Sequence, residues 1–149
     1  MSGLGTARPR AIAYWGPAPT VIARVRGEHL LAAEPPRPLG GTGVPTPIEY
    51  TLAALAACIA ALSRRVSKER GASIESLEVE VEAAVDLREL TGEVPRAERK
   101  GLHDVVIHVK ARGIPAREAE AIVEEAMSRC PIANALKRQV SIEATVEAA

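Results

Sequence analysis

The run PIEYTLAALAACIAALSRR, residues 47–65, decides how the rest of the chain folds. Leu52 to Leu62 within it are eleven consecutive apolar residues, with Cys58 in the middle. Pro47 suits a first helical position, Thr46 can cap it, and Glu49 completes a T-x-x-E capping box. The helix is predicted to continue to about Arg70, where Gly71 ends it. Such a helix, apolar on nearly every side, has to be covered all round. One sheet covers one side. A second copy of the chain is the expected cover for the other, giving an obligate homodimer with residues 52–62 at its centre.

Outward from this helix, the chain reads as short alternating segments. Upstream, RAIAYW, TVIARVR and LLAAE are predicted strands, separated by the turns GPAP and GEH. Trp15 is expected to pack within this hairpin. The loop PPRPLGGTGVP then leads into the helix. Its glycines follow neither the P-loop nor the dinucleotide spacing, so it reads as turn-forming. Downstream, LEVEVEAAVD places Leu77, Val79 and Val81 on one face and Glu78, Glu80 and Glu82 on the other. After the polar loop LRELTGEVPRAERKG comes a second strand with Val105, Ile107 and Val109 inward. Pro115 opens a helix through Cys130, PIANALKR forms a short helical piece, and VSIEATVEA is predicted as a closing strand. Segregated strands and helices of this kind indicate an α+β fold with an antiparallel sheet. The chain reads as one domain, with hairpin and loop over 1–46 and the remainder over 47–149.

The 149 residues suffice for one domain, but with no Phe the core must be built from Ala, Val, Leu and Ile. Such side chains bury little area each, which again favours association. Acidic and basic residues balance at 19 each, and rings are few. A nucleic-acid role therefore has no support. The apolar run is shorter than the ~20 residues a bilayer span needs. The N-terminal residues show no export signal, so a cytoplasmic location is expected. Fifteen Arg against four Lys, with one Asn and one Gln, fits a thermophile or a GC-rich genome. His29, His103 and His108 read as surface residues rather than a metal site. Nothing in the pattern calls for a cofactor.

At about 100° per residue, Thr51, Leu55, Cys58 and Leu62 form one helical stripe. Val123, Met127 and Cys130 are spaced i, i+4, i+7 on the later helix, so both thiols face the core side. Three roles fit. The thiols can simply pack, as buried cysteines commonly do. They can form a redox pair cycling through sulfenic acid and disulfide. They can also form a static structural disulfide.

The segment GGTGVPTPIEYTLAALAACIA, followed 72 residues after Cys58 by CPIANALKRQVSIEATVE, resembles the OsmC/Ohr family of osmotically induced and organic-hydroperoxide-resistance proteins. The resemblance covers most of the chain and is weakest in the first twenty residues. It implies an antiparallel sheet packed on long central helices in an intertwined homodimer. It implies a thiol peroxidase in which Cys58 attacks an organic hydroperoxide, becomes a sulfenic acid and is resolved by Cys130. A dithiol, lipoyl in some members, then restores both thiols. The competing reading is a non-catalytic relative, a small-molecule binder or structural dimer whose cysteines only pack.

Two positions depart from the family pattern. Its peroxidases activate the cysteine with a hairpin Arg, whose place falls near Ala18 here. Arg24 and Arg26 stand in by location and, two residues apart, are expected on one face. The family Glu directly follows the Pro, where this chain has Ile48; Glu49 is one step on. Glu49 precedes Cys58 by nine residues, about 13.5 Å along the axis and on the opposite face. It can therefore help only by orienting an Arg or by acting across a dimer. Arg65 shares the Cys58 stripe and complements the helix C-terminus.

Overall fold

The computed structural model describes residues 3–138 and 140–147. The chain divides into two compact units, one up to Thr51 and one from Leu52 onward.

The first unit is an antiparallel sheet, β1 (Ile12–Trp15), β2 (Val21–Val25) and β3 (His29–Ala33), in that order. Ile12 pairs with Arg24, and Arg24 with Leu30, so the register follows the β-branched and aliphatic alternation. The β2–β3 turn holds Arg26 at φ +50 and Gly27 at φ +74. The only residues this unit buries, among those described, are Ala33 and Glu34. Trp15 is 91% exposed, which corrects its expected packing role: pairing with Val21 on the neighbouring strand does not cover the indole.

Glu34 organises the loop after β3. Its carboxylate accepts from the Thr42 backbone N–H, the Thr42 hydroxyl and the Thr20 hydroxyl, and its own N–H donates to the Pro45 carbonyl at 3.2 Å. These donors, the Thr42 N–H first, hold the carboxyl below its ordinary value. The loop folds back closely enough that a Cβ on Gly41 would collide with the Pro35 carbonyl oxygen. The Gly-Gly pair is thus explained by a turn, as its spacing suggested.

Helix α1 spans Pro47–Glu69. The capping box forms: Thr46 N–H donates to Glu49 Oε2 at 2.7 Å, and Glu49 N–H to Thr46 Oγ1 at 3.2 Å. The helix closes on a Schellman pattern, with Gly71 N–H donating to Lys68 O and Ala72 N–H to Ser67 O. Gly71 takes the left-handed φ of +66 that this cap needs.

In the second unit, β4 (Ser76–Ala84) and β5 (His103–Arg112) pair antiparallel, with Glu80 opposite His108. Leu77, Val79, Val81, Val105, Ile107 and Val109 are half-buried on one face, as the alternation predicts. The loop between them carries the short helix α2 (Arg88–Thr91) and a 3-10 turn at Arg96–Glu98. Helix α3 (Ala116–Arg129) and the short α4 (Pro131–Leu136) complete the unit. Its core has two parts. Leu55 and Ile59 of α1 pack with Cys130 and Ala133, flanked by Val79, Val81, Val105 and Ile107. Val66 packs with Ile122 and Ala126.

The two sheets are separate, three-stranded and two-stranded, where one antiparallel sheet was expected. The predicted closing strand is also absent. Residues 140–147 carry no regular structure, Val140, Ile142 and Val146 are exposed, and Ala148 lies outside the described residues. Alternation supplies a strand face, but a strand forms only where a neighbouring edge takes up its N–H and C=O groups.

Gly41→Ala should lower stability by about 1–3 kcal/mol, the usual cost of forcing an atom into a filled site. Denaturant unfolding should show a lower midpoint at unchanged slope. An unchanged midpoint would mean the loop opens at no cost.

Candidate active site

The buried line along α1 is Leu55, Ile59, Ser63 and Val66. Cys58 and Leu62 flank it, half-buried, while Thr51 is exposed. The expected stripe keeps Leu55, but below it the fully buried positions are Ile59 and Ser63, one step beyond Cys58 and Leu62, which pack at the edge of the core. Ala53, Ala54, Ala57 and Ala61 make an exposed small-residue face.

Cys130 does not lie on the α3 stripe. It joins α3 to α4 in extended conformation, φ −76 and ψ 114. Its sulfur accepts from the Ala133 N–H at 3.4 Å, so the thiol caps α4, with Pro131 in the first turn. The Cys-Pro pair was the sequence signal for this junction, since Pro after a capping residue starts a helix. Cys130 is 0% exposed, whereas Cys58 keeps some exposure.

Both cysteines are free thiols. They meet in one apolar cluster with Leu55, Ile59, Val123 and Met127. Burial, then the neighbouring Cys130 thiol, pushes the Cys58 thiol up to about 11. Water is scarce beside it, and the neutral form is favoured. A groove of about 840 Å³ between β5 and α3 has Ile107, Val123 and Met127 in its lining, the same side chains that pack around the thiols. Lys110, Glu120 and Glu124 also line the groove, and neither sulfur does.

The other candidates take different places. Glu49 sits in the first turn of α1, where the Thr46 N–H, then the Thr46 hydroxyl, hold its carboxyl below the ordinary value. Arg24 lies in β2 and Arg26 in the turn beyond it, both exposed. Arg26 lies beyond the end of β2 at Val25 and adopts a left-handed φ, yet it and Arg24 line one shallow groove with Arg10, Ala11 and Ile12. Arg65 ion-pairs with Glu69 at 3.2 Å, one turn on.

Sequence reasoning missed Arg129, the residue before Cys130. It bonds Glu125 on its own helix and Glu69 at the end of α1, each at 2.8 Å. The i, i+4 spacings of Arg65 with Glu69 and of Glu125 with Arg129 were visible. What joins the two pairs is the approach of two helix ends that are distant in sequence.

The fold and the two facing thiols define an α+β thiol protein. The family described as OsmC-like protein matches residues 40–145, and this chain belongs to that family. Arg24 and Arg26 fall outside the matched residues. The chain is similar to the solved organic hydroperoxide resistance protein OsmC of Legionella pneumophila, with 28% identity, 90% of this chain and 92% of that one covered, and a TM-score of 0.70. An OsmC-like protein of Mycoplasma pneumoniae matches at 17% identity, 88% of each chain and a TM-score of 0.74. OhrB of Bacillus subtilis, an organic hydroperoxide resistance protein, matches at 23% identity, 89% and 93% coverage and a TM-score of 0.61. The comparison with curated proteins returned no match. Among the described residues no helix is long and apolar enough to cross a membrane.

Thr46→Ala should cost about 1 kcal/mol, the usual worth of an N-cap side chain. The Glu49 arm is pH-dependent. Its folded value lies below the ordinary 4.5, so its stabilisation is complete above that pH and fades as pH falls below it. Glu49→Gln should flatten this part of the acid limb, measured by thermal unfolding between about pH 5 and pH 3. An unaltered limb would show that the capping box carries no weight in solution.

Proposed function

We propose that this chain is a cysteine-based peroxidase that reduces organic hydroperoxides to alcohols. The observation that carries the reading is the meeting of two free thiols in one apolar cluster, from segments 72 residues apart in sequence. The half-buried Cys58 is the thiol a peroxide can meet; the fully buried Cys130 is placed to resolve it.

The Cys58 thiolate attacks the terminal oxygen of ROOH. The O–O bond breaks, the alkoxide leaves and takes a proton as ROH, and Cys58 becomes a sulfenic acid. The Cys130 sulfur displaces hydroxide from that sulfenic acid, which leaves as water, and a disulfide forms. An external dithiol reduces it by two exchange steps. The similar proteins named for organic hydroperoxide resistance support this substrate class, and the apolar side chains Ile107, Val123 and Met127 packed on the cluster suit an alkyl chain.

A thiol at about 11 is protonated at neutral pH, so a cation must reach Cys58. Arg24 and Arg26 are the hairpin candidates. Glu49 gives one oxygen to the cap, and its second can orient a guanidinium. A homodimer brings these groups together from two chains. It is supported by the first unit's lack of a core, by the exposed alanine face of α1, and by the alternating residues 140–147 with no strand neighbour. The upward push on Cys58 favours the second reading, an OsmC-like dimer whose cysteines only pack.

One equivalent of alkyl hydroperoxide should convert both thiols into a Cys58–Cys130 disulfide that a dithiol reverses. Cys130→Ser should stop at sulfenic acid and over-oxidise, and Cys58→Ser should leave Cys130 untouched, read by mass spectrometry. Thiolate absorbance should titrate Cys58 below 9 in the assembled protein and near 11 once the activating Arg is replaced by Gln. Equal, slow oxidation of both cysteines, with Cys58 titrating near 11 throughout, would establish the packing reading instead.

A further inference from the structure

The start of α4 is held by a thiol. The Cys130 sulfur accepts from the Ala133 N–H at 3.4 Å and caps the helix. Ala133 is 5% exposed, so little water can replace the sulfur if it leaves, and a buried donor left unpaired is costly. Six residues are too few to hold a helix by themselves. α4 therefore depends on its contacts: the cap, Ile132 and Ala133 in the thiol cluster, and the Asn134 amide donating to the Ser128 carbonyl at 3.0 Å. Helix α3 is fastened differently. Its last residue, Arg129, is held by Glu125 and by Glu69, each at 2.8 Å. Between the firmly held helix and the lightly held one lies Cys130 itself, extended, with Pro131 after it. Cys130 is 0% exposed, and Ile132 and Ala133 of α4 pack in the cluster that encloses it.

We propose that α4 is a redox-gated lid on the cysteine pair: the Cys58–Cys130 disulfide withdraws the cap, α4 loosens, and the buried Cys130 sulfur opens to the reducing dithiol. The lid deepens the peroxidase reading and rests on it for its purpose. When Cys130 displaces hydroxide from the Cys58 sulfenic acid, a covalent bond replaces a looser contact between the two sulfurs. The Cys130 sulfur is drawn toward Cys58 and off the Ala133 N–H. Two exchange steps with the dithiol then restore both thiols. The sulfur returns to Ala133 and the lid closes. Access is thus widest in the one state that needs a reductant. In the reduced state Cys130 stays covered while Cys58 meets the peroxide, which protects the resolving thiol from direct oxidation.

The test makes the disulfide with diamide, which takes two electrons and two protons from the thiol pair, so no peroxide turnover is needed. Hydrogen exchange of the whole chain is compared in the reduced and oxidised forms. Amides of residues 131–138 should exchange about fivefold faster in the disulfide form, the usual worth of a lost cap. Residues 116–129 should keep their protection. Trypsin should cut after Lys137 correspondingly faster. Cys130→Ser keeps a hydroxyl cap and Cys58→Ser keeps the sulfur on Ala133, so α4 should ignore diamide in both. Asn134→Ala removes the second tie of α4, and dithiothreitol should then reduce the diamide-made disulfide about fivefold faster. A protein inert to alkyl hydroperoxide whose α4 still loosens with diamide would sink the peroxidase reading and leave the lid standing. Four results would overturn the lid: no disulfide with diamide, equal α4 exchange in both forms, loosening shared equally by α3, or reduction indifferent to Asn134→Ala.

Discussion

The second unit depends on one packing contact: Leu55 and Ile59 of α1 against Cys130 and Ala133 at the α3–α4 junction. Leu55, Ile59 and Cys130 are the most completely buried side chains in this cluster, and each such aliphatic is worth about 1.5–3 kcal/mol. The contact fixes the rotation of α1 against the inward faces of β4 and β5. It also brings together two cysteines that nothing local in the sequence connects. Both readings of the thiols, packing or chemistry, grow from this contact.

Burial poses an electrostatic problem for chemistry. The apolar wall that suits an alkyl hydroperoxide also keeps a thiol neutral, because a thiolate there loses its hydration. Cys58 lies about three turns into α1, beyond the useful reach of the helix dipole. Two of the cations near the helix end are already paired, Arg65 with Glu69 and Arg129 with Glu69 and Glu125. An activating charge must come from elsewhere. Under the proposed peroxidase reading, that charge is assigned to a hairpin arginine of a second chain.

The first unit shows another way of fixing backbone. Its sheet buries almost nothing, and its loop is held by polar contacts on Glu34 and by the close approach at Gly41. Tyr50, in the first turn of α1, adds a bond to the Ala32 carbonyl at 2.9 Å. Together with the Thr46–Glu49 box, these contacts set where α1 begins.

The sequence by itself determined the parts governed by local rules. The Thr46–Pro47–Glu49 start and Gly71 stop of α1 came from capping chemistry, and the inward faces of β4 and β5 from strict alternation. The meeting of the cysteines was legible only through the paired family motifs, since periodicity left packing and pairing equally open. Tertiary structure decided what depends on a neighbour. Below Leu55 the fully buried line of α1 runs through Ile59 rather than Cys58 because the sheet and α3 select the buried face, and eleven apolar residues in a row offer almost any. Cys130 left its helix because Pro131 starts a new one there. Residues 140–147 kept their alternation but formed no strand, because a strand is a property of two edges and the sequence specifies only one. Nothing in the sequence marks Ser63, whose buried hydroxyl has no hydrogen-bond partner among the described residues, since a missing partner shows only once everything around it is in place.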